Sequence, residues 1–193
     1  EITPLVPVLK SYWLTIHVSL IAGSYGFLML GAIIGVVNLF LYTFQSEKTK
    51  THVKDYINEL TMISELTLTA GLFMISIGTY LGGVWANESW GRYWGWDAKE
   101  TWALVTILVY AFILHMRFIP GLRGAFAFNV SSLIGFASVM MTYFGVNYYL
   151  SGLHSYAAGD PVPIPSWVYY TSISLTLLCL IAFFRKRSLR SLS

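Results

Sequence analysis

Two histidines occupy positions at which an imidazole ring could bind a metal ion. His17, in WLTIHVSL, lies near the start of the first long apolar segment, and His154, in SGLHSYA, follows the fourth. If these segments cross a membrane as helices, both rings lie at the same face and at similar depth. Imidazole is the commonest metal ligand, so the pair could hold one metal ion from two sides. Alternatively, each ring bonds a carbonyl or a lipid headgroup at the interface, where an ionisable group costs little.

A tryptophan-rich segment lies at the same face. Five of the chain's seven tryptophans fall between positions 85 and 102. Tryptophan collects at membrane interfaces, so one or two need no further explanation. Five, spaced by Gly91 and Gly95, exceed what anchoring requires, and glycine lets a ligand approach the backbone closely. The segment therefore predicts a platform for a large flat apolar ligand, with candidate binding residues Trp85, Trp90, Trp94 and Trp96.

Charged residues lie at the C-terminal end of this segment. Asp97 and Glu100 have the spacing of a capping box, which predicts a helix that starts at Asp97. Arg92 and Lys99 have no obvious partner within the segment, and either could pair with a ligand carboxylate. A porphyrin combines the required properties, because it is planar, apolar and metal-centred and carries two propionates. The histidines, tryptophans and cations together predict a porphyrin site.

A third histidine, His115 in YAFILHMRF, is a separate candidate metal ligand. It lies thirteen residues after Trp102, which is roughly 20 Å along a helix, towards the opposite membrane face. We expect an ionisable group at that depth to face a bundle interior or a cavity. The alternative is a neutral ring that bonds a serine, a threonine or a carbonyl. His52, in the basic stretch EKTKTHVKD, is expected to lie solvated in a loop.

Membrane-spanning helices must position these residues. Of the 193 residues, 56% are hydrophobic and 11% are charged, against about 25% charged in soluble domains. About 20 apolar residues cross a hydrocarbon core as a helix. We therefore expect one domain over residues 1–193: an all-α integral membrane protein, a bundle of about five transmembrane helices with an external tryptophan-rich loop at 85–100. The expected spans are 14–44, 66–84, 102–118, 128–150 and 167–184.

Most lysine and arginine residues lie at one face of the expected membrane. They follow the first, third and fifth spans, so the positive-inside rule places the tryptophan segment and the 151–166 connection outside. No basic patch interleaved with aromatic residues is present, so the expected partner is a lipid bilayer and no nucleic acid. The inner basic residues are Lys48, Lys50, Lys54, Arg117, Arg123, Arg185, Lys186, Arg187 and Arg190.

The chain has one cysteine, Cys179, in the fifth span. It cannot form a disulfide within this chain, and a buried apolar thiol is normally inert. Any thiol chemistry therefore needs the thiols of a partner. The chain starts at Glu1 without an initiator methionine, and we expect it to be part of a larger or processed protein.

Three stretches resemble the Ccs-type, or system II, cytochrome c synthases, specifically the CcsA/ResC component or the C-terminal part of the fused CcsBA protein. WGRYWGWDAKETWALVTILVYAFILHMR resembles the WWD signature of that family. SYWLTIHVSLIAGSYG resembles the helix with its first external histidine, and VNYYLSGLHSYA resembles the segment with the second. The resemblance covers essentially the whole chain. One difference is Ala98, where proline is frequent in the family; the start of a helix accepts either residue.

The resemblance implies roles for individual residues. His17 and His154 would be the axial ligands of haem b, iron protoporphyrin IX, at an external site, and therefore the catalytic pair. His115 would receive haem from the inner side, where the family uses a second histidine from the CcsB/ResB portion. The chain offers no second candidate, so we expect it to hold half of the inner site. The haem-holding motif would include Trp90, Trp94, Trp96 and Asp97.

The implied reaction joins haem to apocytochrome c. Two thiols of a C-x-x-C-H segment add to the haem vinyl groups and form thioethers outside the membrane, and the histidine of that segment would displace His17 or His154. We expect a holocytochrome c synthase that is active with its CcsB/ResB subunit or fused portion. The expected location is a bacterial inner membrane with the WWD loop towards the periplasm, or alternatively a thylakoid membrane.

Two other interpretations are open. A haem exporter of the CcmC type also has a tryptophan-rich loop between external histidines but has no synthase activity. The Lys99-Glu100-Thr101 continuation and His115 favour the synthase. A structural assembly subunit would use its aromatic residues as anchors and the Gly31-x-x-x-Gly35 pair for helix packing, but it leaves three intramembrane histidines without a role.

Overall fold

The structure is a computed structural model that describes residues 11–150, 152 and 163–191, with backbone alone at 190 and 191. All five long helices are apolar enough to cross a membrane, and the described residues contain no strand. The expected all-α membrane bundle is confirmed. The helices are α1 (Tyr12–Phe44), α2 (Lys50–Trp90), α3 (Ala98–His115), α4 (Ala125–Met140, continued by a π-helical segment, Met141–Gly145, and a last turn, Val146–Tyr149) and α5 (Ser166–Ser191).

Helix α2 is much longer than the span expected from hydropathy. It starts at Lys50 and ends at Trp90, because its polar first part keeps a buried face, at Ile57 and Ser64, against the rest of the bundle. The expectation of a loop around His52 was therefore wrong, although its side chain is exposed as expected.

Small residues let α1 approach its neighbours. A Cβ atom at Gly31 would collide with the side chain of Leu68 on α2, and one at Gly35 would lie 2.8 Å from the carbonyl oxygen of Asn129 on α4. The expected packing role of this glycine pair is confirmed. Helix α1 packs along α2, α4 and α5, while α3 fits between α2 and α4.

Basic residues gather at one end of the bundle. Lys50 Nζ donates to the Leu189 carbonyl at 2.7 Å, and an Arg185 guanidinium nitrogen donates to the Gln45 carbonyl at 3.3 Å. These bonds join the end of α5 to the α1–α2 connection. The tryptophan-rich segment lies at the other end, between α2 and α3. The charge sorting in the sequence thus corresponds to two chemically different ends, here termed the basic end and the tryptophan end.

Candidate functional site

A cavity of about 250 Å³ lies at the tryptophan end, between α1, α2, α3 and α4. Most of its lining is apolar, and its ionisable lining residues include His17 from α1 and Lys99 and Glu100 from α3. Trp85 and Trp94 from the tryptophan-rich segment line the same space. The fold therefore brings one candidate metal ligand, two candidate platform residues and a cation to one cavity, termed here the outer cavity.

The ring of His17 is held by two glycines of α2. Its Nδ1 lies 2.6 Å from the carbonyl oxygen of Gly78, so a neutral ring donates from Nδ1 and carries its lone pair on Nε2. A Cβ atom at Gly82 would lie 2.6 Å from His17 Cε1. The backbone of α2 thus forms a slot that fits the imidazole ring and fixes its tautomer. Metal-binding histidines are typically oriented by such a bond from the other ring nitrogen.

Trp85 and Trp90 lie on the last turns of α2, not in the expected loop at 85–100. Trp85 is 2% exposed and packs edge-on against Trp90, with ring centroids 4.7 Å apart. The guanidinium carbon of Arg92 lies 5.5 Å from the Trp90 centroid. Because α2 continues past the expected membrane boundary, these two tryptophans are parts of a rigid helix end.

The capping box at the start of α3 is confirmed. Asp97 Oδ1 accepts from the backbone N–H groups of Lys99 and Glu100 at 3.0 and 2.9 Å. Glu100 Oε2 accepts in return from Asp97 N at 3.4 Å, and also from Gly95 N at 2.7 Å. One carboxylate therefore ties the end of the 91–97 loop to the helix.

Both cations have partners. The expectation that neither has one within the segment is wrong for Arg92, whereas the partner of Lys99 lies outside the segment. Arg92 Nη1 lies 3.3 Å from Glu100 Oε1, and Lys99 Nζ donates to Asn147 Oδ1 at 3.0 Å. Asn147 lies 48 residues away, on the last turn of α4, so no local pattern reveals it. Of the two cations, Lys99 lines the outer cavity.

Trp94 and Trp96 form a second edge-on pair, with ring centroids 5.6 Å apart. Trp96 has a φ of 58°, in the left-handed region that costs a non-glycine residue roughly 1–2 kcal/mol, and its side chain is 69% exposed. Trp94 Nε1 is buried and has no hydrogen-bond acceptor in the described part of the chain. A strained backbone and an unsatisfied donor therefore lie two residues apart, a combination that is common at functional sites.

The π-helical segment of α4 supplies another wall of the outer cavity. Thr142 and Tyr143 line the cavity, and π-helical turns frequently occur at functional sites because the extra residue shifts side chains out of the regular helix. The Thr142 hydroxyl lies 2.8 Å from Thr106 Oγ1 and 3.1 Å from the Trp102 carbonyl. Tyr143 packs edge-on against Tyr25 of α1, at 6.1 Å.

His115 does not face the bundle interior as expected. It lies at the end of α3 remote from the tryptophans, with an exposed side chain. Its Nδ1 is 2.7 Å from the Ala111 carbonyl, so a neutral ring carries its lone pair on Nε2. This histidine therefore presents an oriented nitrogen at the surface of the bundle. Among the described residues, no three or more histidine, cysteine, aspartate or glutamate side chains lie close enough together to hold a metal ion.

His154 lies outside the described residues. Gly152, which is described, lies against the start of α3: a Cβ atom there would be 3.5 Å from Ala98 N and 3.6 Å from Asp97 Cβ. The connection after α4 thus returns to the tryptophan-rich segment two residues before His154.

A family model described as cytochrome C assembly protein matches residues 1–154. The chain belongs to this family. Protein NrfI of Wolinella succinogenes is 55% identical over 183 residues, which make up 95% of the chain and 20% of NrfI. Cytochrome c biogenesis protein CcsA of Chlamydomonas reinhardtii is 42% identical over 157 residues, 81% of the chain and 44% of that protein. CcsA of Mesostigma viride is 40% identical over 177 residues, 80% of the chain and 58% of that protein. The chain therefore spans about a fifth to somewhat over half of the length of these relatives.

Several residues at the outer cavity and beside it left no signal in the sequence. Gly78 and Gly82 form the histidine slot, yet glycine in a transmembrane helix is common and gives no specific signal. Tyr143 and Asn147 belong to a span that hydropathy identifies only as apolar helix. Their spacing of four residues places both near the end of α4, but a π-helical turn leaves no mark in a single sequence.

Proposed function

We propose that the chain binds haem b, iron protoporphyrin IX, at the outer cavity and presents it for attachment to apocytochrome c. His17 and His154 would hold the haem iron. The observation that carries this proposal is the imidazole of His17, held by Gly78 and Gly82 in the wall of a mostly apolar cavity that Trp94 also lines. Such a cavity suits a planar apolar ligand whose metal centre needs a neutral imidazole nitrogen.

The chemistry of attachment uses thiols that the chain does not provide. Cys179, on α5, is not among the residues that line the outer cavity. Each thiol of a C-x-x-C-H segment adds across one vinyl group: sulfur bonds one vinyl carbon, the proton goes to the other, and nothing leaves. The chain contributes by holding the haem and orienting its edge, so its effect on the rate comes from positioning.

His115 supports a second, inner haem contact that is completed by a partner. The His115 ring is exposed on a helix that could span a membrane, and a polar ring at such a position is costly unless another group covers it. We propose that the CcsB/ResB subunit or fused portion supplies the second ligand there, and that haem passes from this contact to the outer cavity. The outer cavity faces the periplasm in a bacterial inner membrane, or the lumen in a thylakoid.

Absorption spectra of the purified membrane complex that contains this chain test the outer site. The wild type is compared with His17→Ala and His154→Ala in the oxidised and reduced states, and His52→Ala serves as a control, because His52 is exposed on the first turn of α2. We expect a six-coordinate bis-imidazole haem spectrum in the wild type and the control. Each outer variant should lose that spectrum and regain it with added imidazole. Unchanged spectra in both outer variants would contradict the proposal.

An attachment assay separates a synthase from an exporter. Complex loaded with haem is incubated with a reduced apocytochrome c, and covalent haem is followed by haem stain after denaturing electrophoresis. An apocytochrome with both cysteines changed to alanine is the control. Synthase function predicts covalent haem on the first substrate alone, whereas retained haem without attachment would favour a CcmC-type exporter.

A further inference from the structure

Trp94 carries a polar group that needs a partner. Its indole Nε1 is buried, and it has no acceptor within residues 11–150, 152 and 163–191. Leaving such a donor unsatisfied costs about 1–3 kcal/mol, so most buried donors in native proteins have an acceptor, supplied by protein, water or ligand. Trp94 lines the outer cavity, and its ring is fixed against Trp96. A molecule in that cavity is therefore a candidate source of an acceptor.

Lys99 brings a positive charge to the same cavity. Its ammonium group donates to Asn147 Oδ1 at 3.0 Å, which leaves further N–H donors on the same nitrogen, since an ammonium group has three. An amide partner positions the group without neutralising it. The backbone N–H of Lys99 binds Asp97, so main chain and side chain are both held.

The carboxylates near Lys99 are already engaged. Asp97 accepts the first N–H groups of α3, and Glu100 pairs with Arg92 and with the loop backbone. Arg92 is occupied by this pair and by the face of Trp90. Of the two cations that the sequence offers for a ligand carboxylate, the structure therefore favours Lys99 over Arg92.

We propose that Trp94 Nε1–H and the Lys99 ammonium group form a carboxylate-binding subsite of the outer cavity, which takes one propionate of haem. This inference rests on the proposed function, because it names the part of haem that two residues recognise. A propionate accepts hydrogen bonds from an indole and an ammonium group at once, and a charge-assisted bond in a largely apolar cavity is strong. The subsite also fixes which edge of the haem lies next to the tryptophan-rich loop.

The test compares two porphyrins that differ only at the propionates, which are charged in one and esterified in the other. Haem b and its dimethyl ester, in which both propionates are neutral, are titrated into haem-depleted full-length protein in the same detergent. The ratio of the two dissociation constants is the readout, because changes in folding or in the histidine ligands affect both ligands alike. We expect the wild type to prefer haem b over the ester about tenfold or more.

The informative variants are Lys99→Met and Trp94→Phe, which remove the charge and the indole N–H and keep most of the apolar volume. Each should reduce the preference for haem b several-fold while binding of the ester changes little. Lys99→Arg keeps the charge and should retain most of the preference. Matched controls are Lys54→Met at the basic end and Trp167→Phe at the start of α5, whose side chains are exposed; both should keep the wild-type ratio.

The outcomes separate this inference from the proposed function. If the wild type binds neither porphyrin, both fail. If it binds both porphyrins with equal affinity, or if both informative variants keep the wild-type preference, the haem site stands and the carboxylate subsite is wrong. Should one of Lys99→Met and Trp94→Phe fail to yield monodisperse protein, the ratio of the other, compared with the wild-type ratio, decides the matter.

Discussion

At the scale of single residues, the geometry of His17 depends on backbone atoms. The Gly78 carbonyl orients Nδ1, and the missing side chain of Gly82 leaves the space that the ring occupies. A partner that is a side chain can be removed by a substitution. The backbone carbonyl of Gly78 cannot, so the slot is lost only when a larger residue fills the space at Gly82. The same part of α2 therefore both packs against α1 and orients the His17 ring.

Gly82→Ala should displace the His17 ring. The added Cβ atom would lie 2.6 Å from Cε1 and 2.7 Å from Nδ1, an overlap that costs roughly 1–3 kcal/mol and should weaken haem retention about tenfold. Alanine is the better helix former by about 1 kcal/mol, so the melting temperature of the apoprotein should change little. Haem content per protein and the reduced spectrum are measured together.

The matched control for that substitution is Gly26→Ala on α1, where the new Cβ atom meets nothing within 4 Å. It should keep the wild-type haem content. An unchanged spectrum in Gly82→Ala would mean that the slot is not required for the proposed binding of iron by His17.

At the scale of elements, the 91–97 loop is fixed at both ends. Gly91 ends α2 in the left-handed conformation, with a φ of 71°, and Asp97 starts α3 as its N-cap. Glu100 bonds the loop backbone and Arg92. Because both ends are fixed, the strained backbone of Trp96 is held in place, and the loop keeps its tryptophans at defined positions.

Asp97 gives a way to separate helix capping from contact with haem. Asp97→Ala should lower the free energy of unfolding by about 0.5–2 kcal/mol, whereas Asp97→Asn should restore most of it, because asparagine is an equally good N-cap. If Asp97 acts through the cap, haem affinity should follow stability, and the asparagine variant should bind haem like the wild type. Thermal unfolding in detergent and haem titration are compared for both variants.

Asp55→Ala is the control for charge removal, since Asp55 is exposed on α2. It should leave both measurements unchanged. An asparagine variant that is stable but has lost haem would show that the carboxylate itself takes part in binding.

At the scale of the whole molecule, the sequence predicted the membrane-spanning segments and the candidate ligands, but it predicted few of the contacts between helices. Hydropathy identified five membrane-crossing stretches, because burial in lipid requires them, but it missed the first sixteen residues of α2, which are helical and polar. The bond between Lys99 and Asn147 joins different helices, so it depends on the packed bundle. The exposure of His115 likewise depends on which side of α3 faces α2 and α4, and the hydropathy of the segment does not predict that orientation.

The half of the bundle nearer the basic end is joined by a buried polar cluster. Asn38 Nδ2 donates to Asn129 Oδ1 at 2.7 Å, and Asn129 Nδ2 donates to Thr61 Oγ1 at 2.8 Å. All three helices α1, α2 and α4 meet there. A single interhelical hydrogen bond in a membrane protein contributes about 0.6 kcal/mol on average, whereas loss of a buried partner leaves its neighbours unsatisfied and costs about 1–3 kcal/mol.

Asn129→Ala should therefore destabilise the bundle by about 1–3 kcal/mol. The Asn38 amide loses its 2.7 Å bond and keeps only the 3.3 Å bond to Thr61, which itself loses the Asn129 donor. Asn58→Ala, which changes an exposed amide on α2, should have little effect. Unfolding midpoints in detergent measure the difference. Because none of the three polar residues lines the outer cavity, the spectrum of bound haem should be unchanged in protein that remains folded. A loss of haem from fully folded Asn129→Ala protein would instead show that the cluster and the outer cavity are coupled through the helices.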